Sequence, residues 1–246
     1  SQIESSVENV HIVDVPDMLQ SLWDDRPSLP VSPITTLDVD CFGGRPRGEK
    51  LEWLRKWMML KGLDYVLVSS LDEIAWLLNV RGSDIEYNPL VISYLIVTQD
   101  QVKWFVRKGD GVMDPDTDDS FSELIDEGIE VDDYEALYEY LETESKGEAT
   151  GQIFVDPASL NYHVYAHIVE SFTKERLSMG TSPIILEKSV KTSSEIENLR
   201  QTYIDDGVAM ECFLYWLENE LEQGHLVTEW DASQKLTSLR ADIPGY

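Results

Sequence analysis

Residues 64–98 read DYVLVSSLDEIAWLLNVRGSDIEYNPLVISYLIVT, and this stretch decides the fold class. Asp64–Val68 (DYVLV) is a short run rich in β-branched and aromatic side chains, which predicts a strand. Ser70 followed by Glu73 has the spacing of a capping box, opening a short helix through Ala75 and Leu78. An interruption at Arg81-Gly82-Ser83-Asp84 and Asn88-Pro89 then separates that helix from a second apolar run, Leu90–Thr98. A strand, a helix and a strand with a polar connection is the unit from which α/β domains are built.

The same alternation extends in both directions. Upstream, Glu49–Lys61 predicts a helix with Leu51, Leu54 and Met58 at helical spacing and Gly62 to terminate it. Downstream, Val102–Val106 (VKWFV) pairs with Leu90–Thr98 as a hairpin turning at Gln99-Asp100. Phe121, Leu124 and Ile125 mark a helix ended by Gly128, strand-like Ile-Glu-Val follows, and Tyr134, Leu137, Tyr138 and Leu141 mark another helix. Ile153–Asp156 reads as a strand delivering Asp156 as N-cap and Pro157 as the first residue of a helix to about Phe172. Pro183–Leu186 (PIIL) reads as the last strand. The fold class is α/β, a mixed sheet flanked by helices.

The two ends have a different texture. Within residues 1–25, Val15, Met18, Leu22 and Trp23 fall on one side of a short amphipathic helix. Pro27, Pro30 and Pro33 then make an extended linker. From Ser194, with Glu197 as a second capping box, Ile196, Leu199, Tyr203, Met210, Leu214, Leu217 and Leu221 keep one apolar face. Gly207 on that face predicts a closely packed neighbour, and Gly224 ends the helix. Thr228 with Asp231 opens a further helix through Leu236 and Leu239. These helices read as the opening of a domain whose remainder lies beyond Tyr246.

Composition narrows the function. A formal net charge of -28 repels phosphate backbones and anionic lipid, which argues against nucleic acid and membrane as partners. The longest apolar run, Leu90–Val97, is far too short to span a bilayer, and no signal-peptide pattern precedes it. Two cysteines, Cys41 and Cys212, imply no disulfide framework and fit a reducing, cytoplasmic compartment. The acidity reads either as a solvated surface or as a docking face for a basic partner.

Candidate sites are sparse. Gly43, Gly44 and Gly48-Glu49-Lys50 resemble a phosphate loop only superficially, because the Gly-Lys-Ser/Thr ending is missing and no strand precedes them. Asp114, Asp116 and Asp118 have the alternate spacing of a calcium loop but lack its glycine and its closing glutamate, so they read as a solvated acidic loop. His163, His167 and Glu170 lie on one face of a helix in a metal-binding spacing, with plain surface histidines as the alternative. No G-x-S-x-G elbow or activated cysteine is present. Arg81, Asp84 and Asn88 serve either to shape a turn or to face a substrate cleft or a domain interface.

The block Trp76…Arg81-Gly82-Ser83-Asp84…Asn88-Pro89 resembles the middle domain of the cytosolic three-domain Xaa-Pro aminopeptidases, metallopeptidases of the creatinase/prolidase group. Leu22-Trp23-Asp24-Asp25-Arg26-Pro27 is similar to the end of that family's first domain. Lys188-Ser189-Val190-Lys191-Thr192-Ser193-Ser194-Glu195-Ile196-Glu197 is similar to the start of its catalytic domain. The resemblance implies a division into residues 1–35, a tail and linker; 36–187, a creatinase N-terminal-like domain; and 188–246, the first helices of a truncated pita-bread domain. It further implies a homodimeric parent enzyme that removes the N-terminal residue from peptides with proline in position two. Two divalent ions, usually manganese, would activate the attacking water. The family's five metal-ligand segments have no counterpart here, so no residue of this chain is assigned a metal or catalytic role and the chain alone is expected to be inactive. An alternative within the same fold is a pseudo-peptidase that binds a basic partner such as histones.

Overall fold

The computed structural model describes residues 13, 15, 17–19, 22–107, 119–146 and 151–243. The chain divides into two compact units, Ser1–Pro30 and Val31–Tyr246. In the first, the described residues form turns, not the helix expected across Val15–Trp23, and Val15, Met18 and Leu22 are exposed. Asp17 accepts from the Leu19 amide at 3.0 Å and pairs with the Arg26 guanidinium, which lies over the Trp23 ring. A short apolar stripe with no surface to bury against does not meet the entropy cost of a helix.

The second unit is built on a six-stranded mixed sheet. Its strands in chain order are β2 (Tyr65–Val68), β4 (Ser93–Val97), β5 (Val102–Val106), β6 (Ile129–Asp133), β7 (Ile153–Val155) and β8 (Leu177–Met179). Their order across the sheet is β6-β5-β4-β2-β7-β8. The pairs β2–β4 and β4–β5 are antiparallel, and β2–β7, β7–β8 and β5–β6 are parallel. A separate two-stranded ladder joins β1 (Thr35–Thr36) to β3 (Val80–Arg81).

Both faces of the sheet are covered, which explains why β2 and β4 are apolar at nearly every position instead of alternating. Val66, Val68, Leu95, Val97 and Trp104 point into one core. There they meet α2 (Arg47–Lys61), α3 (Leu71–Leu78), α4 (Asp119–Asp126) and α7 (Pro183–Ser189) through Leu54, Met58, Ile74, Leu77, Phe121 and Ile184. The alternate residues Tyr65, Leu67, Tyr94, Ile96 and Phe105 meet α5 (Ala136–Lys146) and α6 (Tyr162–Phe172) on the other face. A four-residue turn of helix, α1 (Val39–Phe42), precedes α2. Two C-terminal helices, α8 (Ser193–Glu222) and α9 (Glu229–Arg240), pack on each other, with Arg240 bonding Asp206 at 2.7 Å. Among the described residues no helix is long and apolar enough to cross a membrane.

Several local expectations are corrected. Pro183–Leu186 is the start of helix α7, not a strand: Ser182 caps it, Pro183 occupies its first turn, and the sheet edge is already taken by β8. Helix α6 begins at Tyr162 with Asn161 as its cap; Asp156 caps only a turn, its Oδ1 accepting from the Ala158 amide at 2.8 Å while its Oδ2 takes the Ser182 amide. The capping box of α8 is Thr192 with Glu195, not Ser194 with Glu197. Ser70 makes no side-chain cap; its hydroxyl donates to Asp72. Gly207 has no atom within 4 Å of where a Cβ would stand, so no close neighbour explains it.

Candidate functional site

Polar side chains gather where helix α3 ends. A helix C-terminus leaves unsatisfied carbonyls and a partial negative charge, and here three cations meet it. Arg47 Nε donates to Leu78 O at 2.7 Å, Arg81 Nη1 to Ala75 O at 3.2 Å, and Lys50 Nζ to Trp76 O. Asn79 closes the helix in the left-handed conformation at φ 53°, and its amide nitrogen donates to Arg45 O. Helix α2 brings Arg47 and Lys50 there because both continue the stripe of Leu51, Leu54 and Met58; Lys50 is only 1% exposed. Arg47 is neutralised by Glu127 at 2.6 Å and Glu123 at 3.3 Å. Trp76 carries two cations, Lys50 Nζ at 4.7 Å and the Arg45 guanidinium at 5.4 Å from its ring centroid. Burial, then the neighbouring Arg45, pulls the Lys50 amine down to about 7.

The Arg81–Asn88 segment runs outward from this point. Asp84 Oδ1 accepts from the amide and hydroxyl of Ser32 at 2.8 and 2.6 Å, and its Oδ2 accepts from the Ile92 amide at 2.8 Å. The Ser32 hydroxyl in turn accepts from the Ser83 amide at 2.7 Å. Gly82 does not end the helix with a positive φ, as its position suggests; Asn79 does that. Gly82 is there because a Cβ would stand 2.6 Å from Val91 Cγ2 and 3.1 Å from Ser32 Oγ. Arg81 and Asp84 therefore turn into the frame. Asn88 sits at the exposed tip beside Tyr87, which has φ 62° and is 97% exposed.

A second set of contacts fixes the segment leading to α8. Buried Glu73 does not fold back to cap α3; its Oε2 accepts from Ser182 Oγ at 2.6 Å. Asp156 accepts from the Ser182 amide at 2.8 Å, so two carboxylates hold one serine. Burial pushes the Glu73 carboxyl up. Arg45 pairs with Glu187 at 2.8 Å, Lys188 pairs with Asp72, and Asn198 Nδ2 donates to Phe42 O at 2.9 Å. Gly43, at φ 77°, lies so close to the start of α8 that a Cβ would stand 2.9 Å from Glu195 N. Of these residues, Ser182 carries no motif, while Lys50, Glu73 and Glu195 read in other roles (a false phosphate loop, a capping box and a family-like segment). The usable signal for Lys50 and Arg47 is a lysine and an arginine continuing an apolar helical stripe.

The histidine face of α6 is turned to α5. His163 and His167 both stand edge-on to Tyr138, at centroid distances of 5.1 and 5.2 Å. His167 Nε2 is 3.1 Å from Tyr138 O and 3.7 Å from Glu142 Oε1, while Glu170 is exposed. Among the described residues no three His, Cys, Asp or Glu side chains converge as a metal site. Donors for a di-metal centre are thus not assembled on this helix face. Asp114, Asp116 and Asp118 lie outside the described residues.

Comparison with known proteins agrees with this architecture. The family model for the creatinase/prolidase N-terminal domain matches residues 25–195. A probable Xaa-Pro aminopeptidase P of Laccaria bicolor is 33% identical over 99% of this chain and 35% of its own length. Xaa-Pro aminopeptidase 1 of Dictyostelium discoideum is 34% identical over 91% of this chain and 34% of its own. The chain spans about a third of the length of the curated relatives it matches. The crystal structure of X-prolyl aminopeptidase from Caenorhabditis elegans, described as a cytosolic enzyme with a di-nuclear active site, superposes with a TM-score of 0.84. It is 29% identical, and the match covers 95% of this chain and 37% of that one. The mixed sheet, the ordered contacts at α3 and the family match lead to one assignment: the chain belongs to the creatinase/prolidase N-terminal domain family.

Proposed function

We propose that this chain is the non-catalytic middle portion of a metal-dependent aminopeptidase that removes the N-terminal residue from peptides with proline in position two. The observation that carries this reading is the backbone agreement across 95% of the chain with only 37% of the nematode enzyme. Residues 1–35 are the tail of a preceding domain and a linker, 36–187 the middle domain, and 188–246 the first helices of the catalytic domain. The parent holds two divalent ions, manganese in kind, on residues outside this chain, works in the cytoplasm and forms a homodimer.

The chain's own task is architectural. The contacts of Ser182 and Arg45 fix α7 and that of Gly43 the start of α8. Arg81 and Asp84 brace the loop whose tip, at Asn88, faces the substrate cleft or a neighbouring domain. The test is to assay this chain and the longer parent for manganese-dependent release of the N-terminal residue from an Xaa-Pro peptide. The chain is expected to be inert and the parent active. Activity of the chain alone, or an inert parent, would refute the reading.

A further inference from the structure

Lys50 stands out from the other cations at the end of α3. It is 1% exposed, and its two hydrogen-bond acceptors, Trp76 O and Asn79 Oδ1, are both neutral. The charged groups facing it are Arg45 from the loop before α2, Arg47 from its own helix, Arg81 from β3, and Glu195 from the first turn of α8. Three guanidinium groups therefore oppose one carboxylate. Arg47 has Glu123 and Glu127 beside it, and Arg45 has Glu187. A guanidinium stays charged throughout the accessible pH range, whereas a buried amine gives up its proton readily.

We propose that Lys50 is a protonation-sensitive strut that sets how firmly the α2–α3 frame grips the α7–α8 segment. The coupling runs through Trp76. The ammonium and the Arg45 guanidinium sit on the same indole and repel each other, while Arg45 also holds Glu187 on α7. When the amine loses its proton to solvent, its remaining two N–H groups still serve Trp76 O and Asn79 Oδ1. The repulsion on Arg45 disappears, and the guanidinium settles on the ring and on Glu187. The weaker attraction of the ammonium to Glu195 is lost at the same time, but the repulsion from Arg45 is the larger of the two. Higher pH thus tightens the joint on balance. The amine's midpoint of about 7 puts this exchange in the neutral range.

The sign follows from linkage. A lysine whose folded value is lowered binds fewer protons folded than unfolded, between about 7 and its ordinary 10.5. Stability therefore rises with pH across that window. In the full chain carrying 13C-labelled lysine, one side chain should titrate near neutrality, and that transition should be missing from Lys50→Met. Against Lys50→Met, the folding equilibrium constant of the wild type should gain up to roughly tenfold per pH unit between pH 8 and 10. Amide exchange in α7 and the first turns of α8, corrected for intrinsic rates, should slow from pH 6 to 8 in the wild type only. Should Lys50→Met fail to fold, the titration and the wild-type exchange data stand alone. A Lys50 that titrates near ~10, or α7–α8 protection that ignores pH, would overturn the proposal.

Discussion

Asp84 reaches across 52 positions of chain to take both the amide and the hydroxyl of Ser32 on a single oxygen. Its other oxygen holds the Ile92 amide, so one carboxylate joins the extended segment before β1 to the entrance of β4. Replacing Asp84 with alanine strips partners from three donors at once, two of them backbone. The expected loss is about 3 kcal/mol in urea denaturation, with Asp84→Asn losing less because one oxygen remains to accept. In the longer parent, a raised KM at unchanged stability would instead assign Asp84 to the cleft.

Gly82 and Gly207 give opposite expectations for the same substitution. Gly82→Ala drives a methyl to 2.6 Å from Val91 and should cost about 1–3 kcal/mol. Gly207→Ala enters open space within α8 and should gain about 0.5–1 kcal/mol from helix propensity. Thermal denaturation of both variants checks the pair.

Glu73 sets a pH dependence in the acid range. Burial raises its carboxyl above the ordinary 4.5, so the folded state holds the proton more tightly than the unfolded one. The stability linked to that proton is fully present below pH 4.5 and is lost as pH rises through the folded value. Glu73→Gln, which can still accept from Ser182, removes this loss. Its stability relative to wild type should therefore improve from pH 4 to pH 7, as followed by denaturant midpoints.

Thr192 and Ser194 can be separated by alanine. Thr192→Ala deletes the hydroxyl that accepts from the Glu195 amide and should cost about 1 kcal/mol. Ser194→Ala should change stability by a few tenths. Amide exchange in the first turn of α8 should quicken in the former alone.

The sheet was legible because both its faces are buried: β2, β4 and β5 are apolar runs of strand length, and periodicity finds them with little help. Helices α2, α5 and α9 followed from stripes and caps in the same way. What escaped depended on partners distant in sequence. Glu73 has the local spacing of a capping box but bonds Ser182, and Asp156 caps a local turn at Ala158 while its second oxygen bonds the distant Ser182 amide. Pro183–Leu186 is apolar enough for a strand, but the edge is occupied by β8 and the segment starts with a Ser182 cap and a first-turn proline, so it is helical. For the candidate site, Arg81, Asp84 and Asn88 were visible as a polar interruption. That the first two turn inward while the third stays at the tip depends on Ser32, Ile92 and the carbonyls of α3, which no local pattern names.

Helix α8 runs for 30 residues with Ala209 its one buried residue among those described, and its first turn is seated against Gly43. At 1.5 Å per residue it is a rod about 45 Å long. Gly43 and Glu195 are its fulcrum. A tilt of about five degrees there would carry the far end through about 4 Å, by the geometry of a rod of that length. Aim at the far end is thus decided within a few ångströms of a glycine that leaves no room for a side chain.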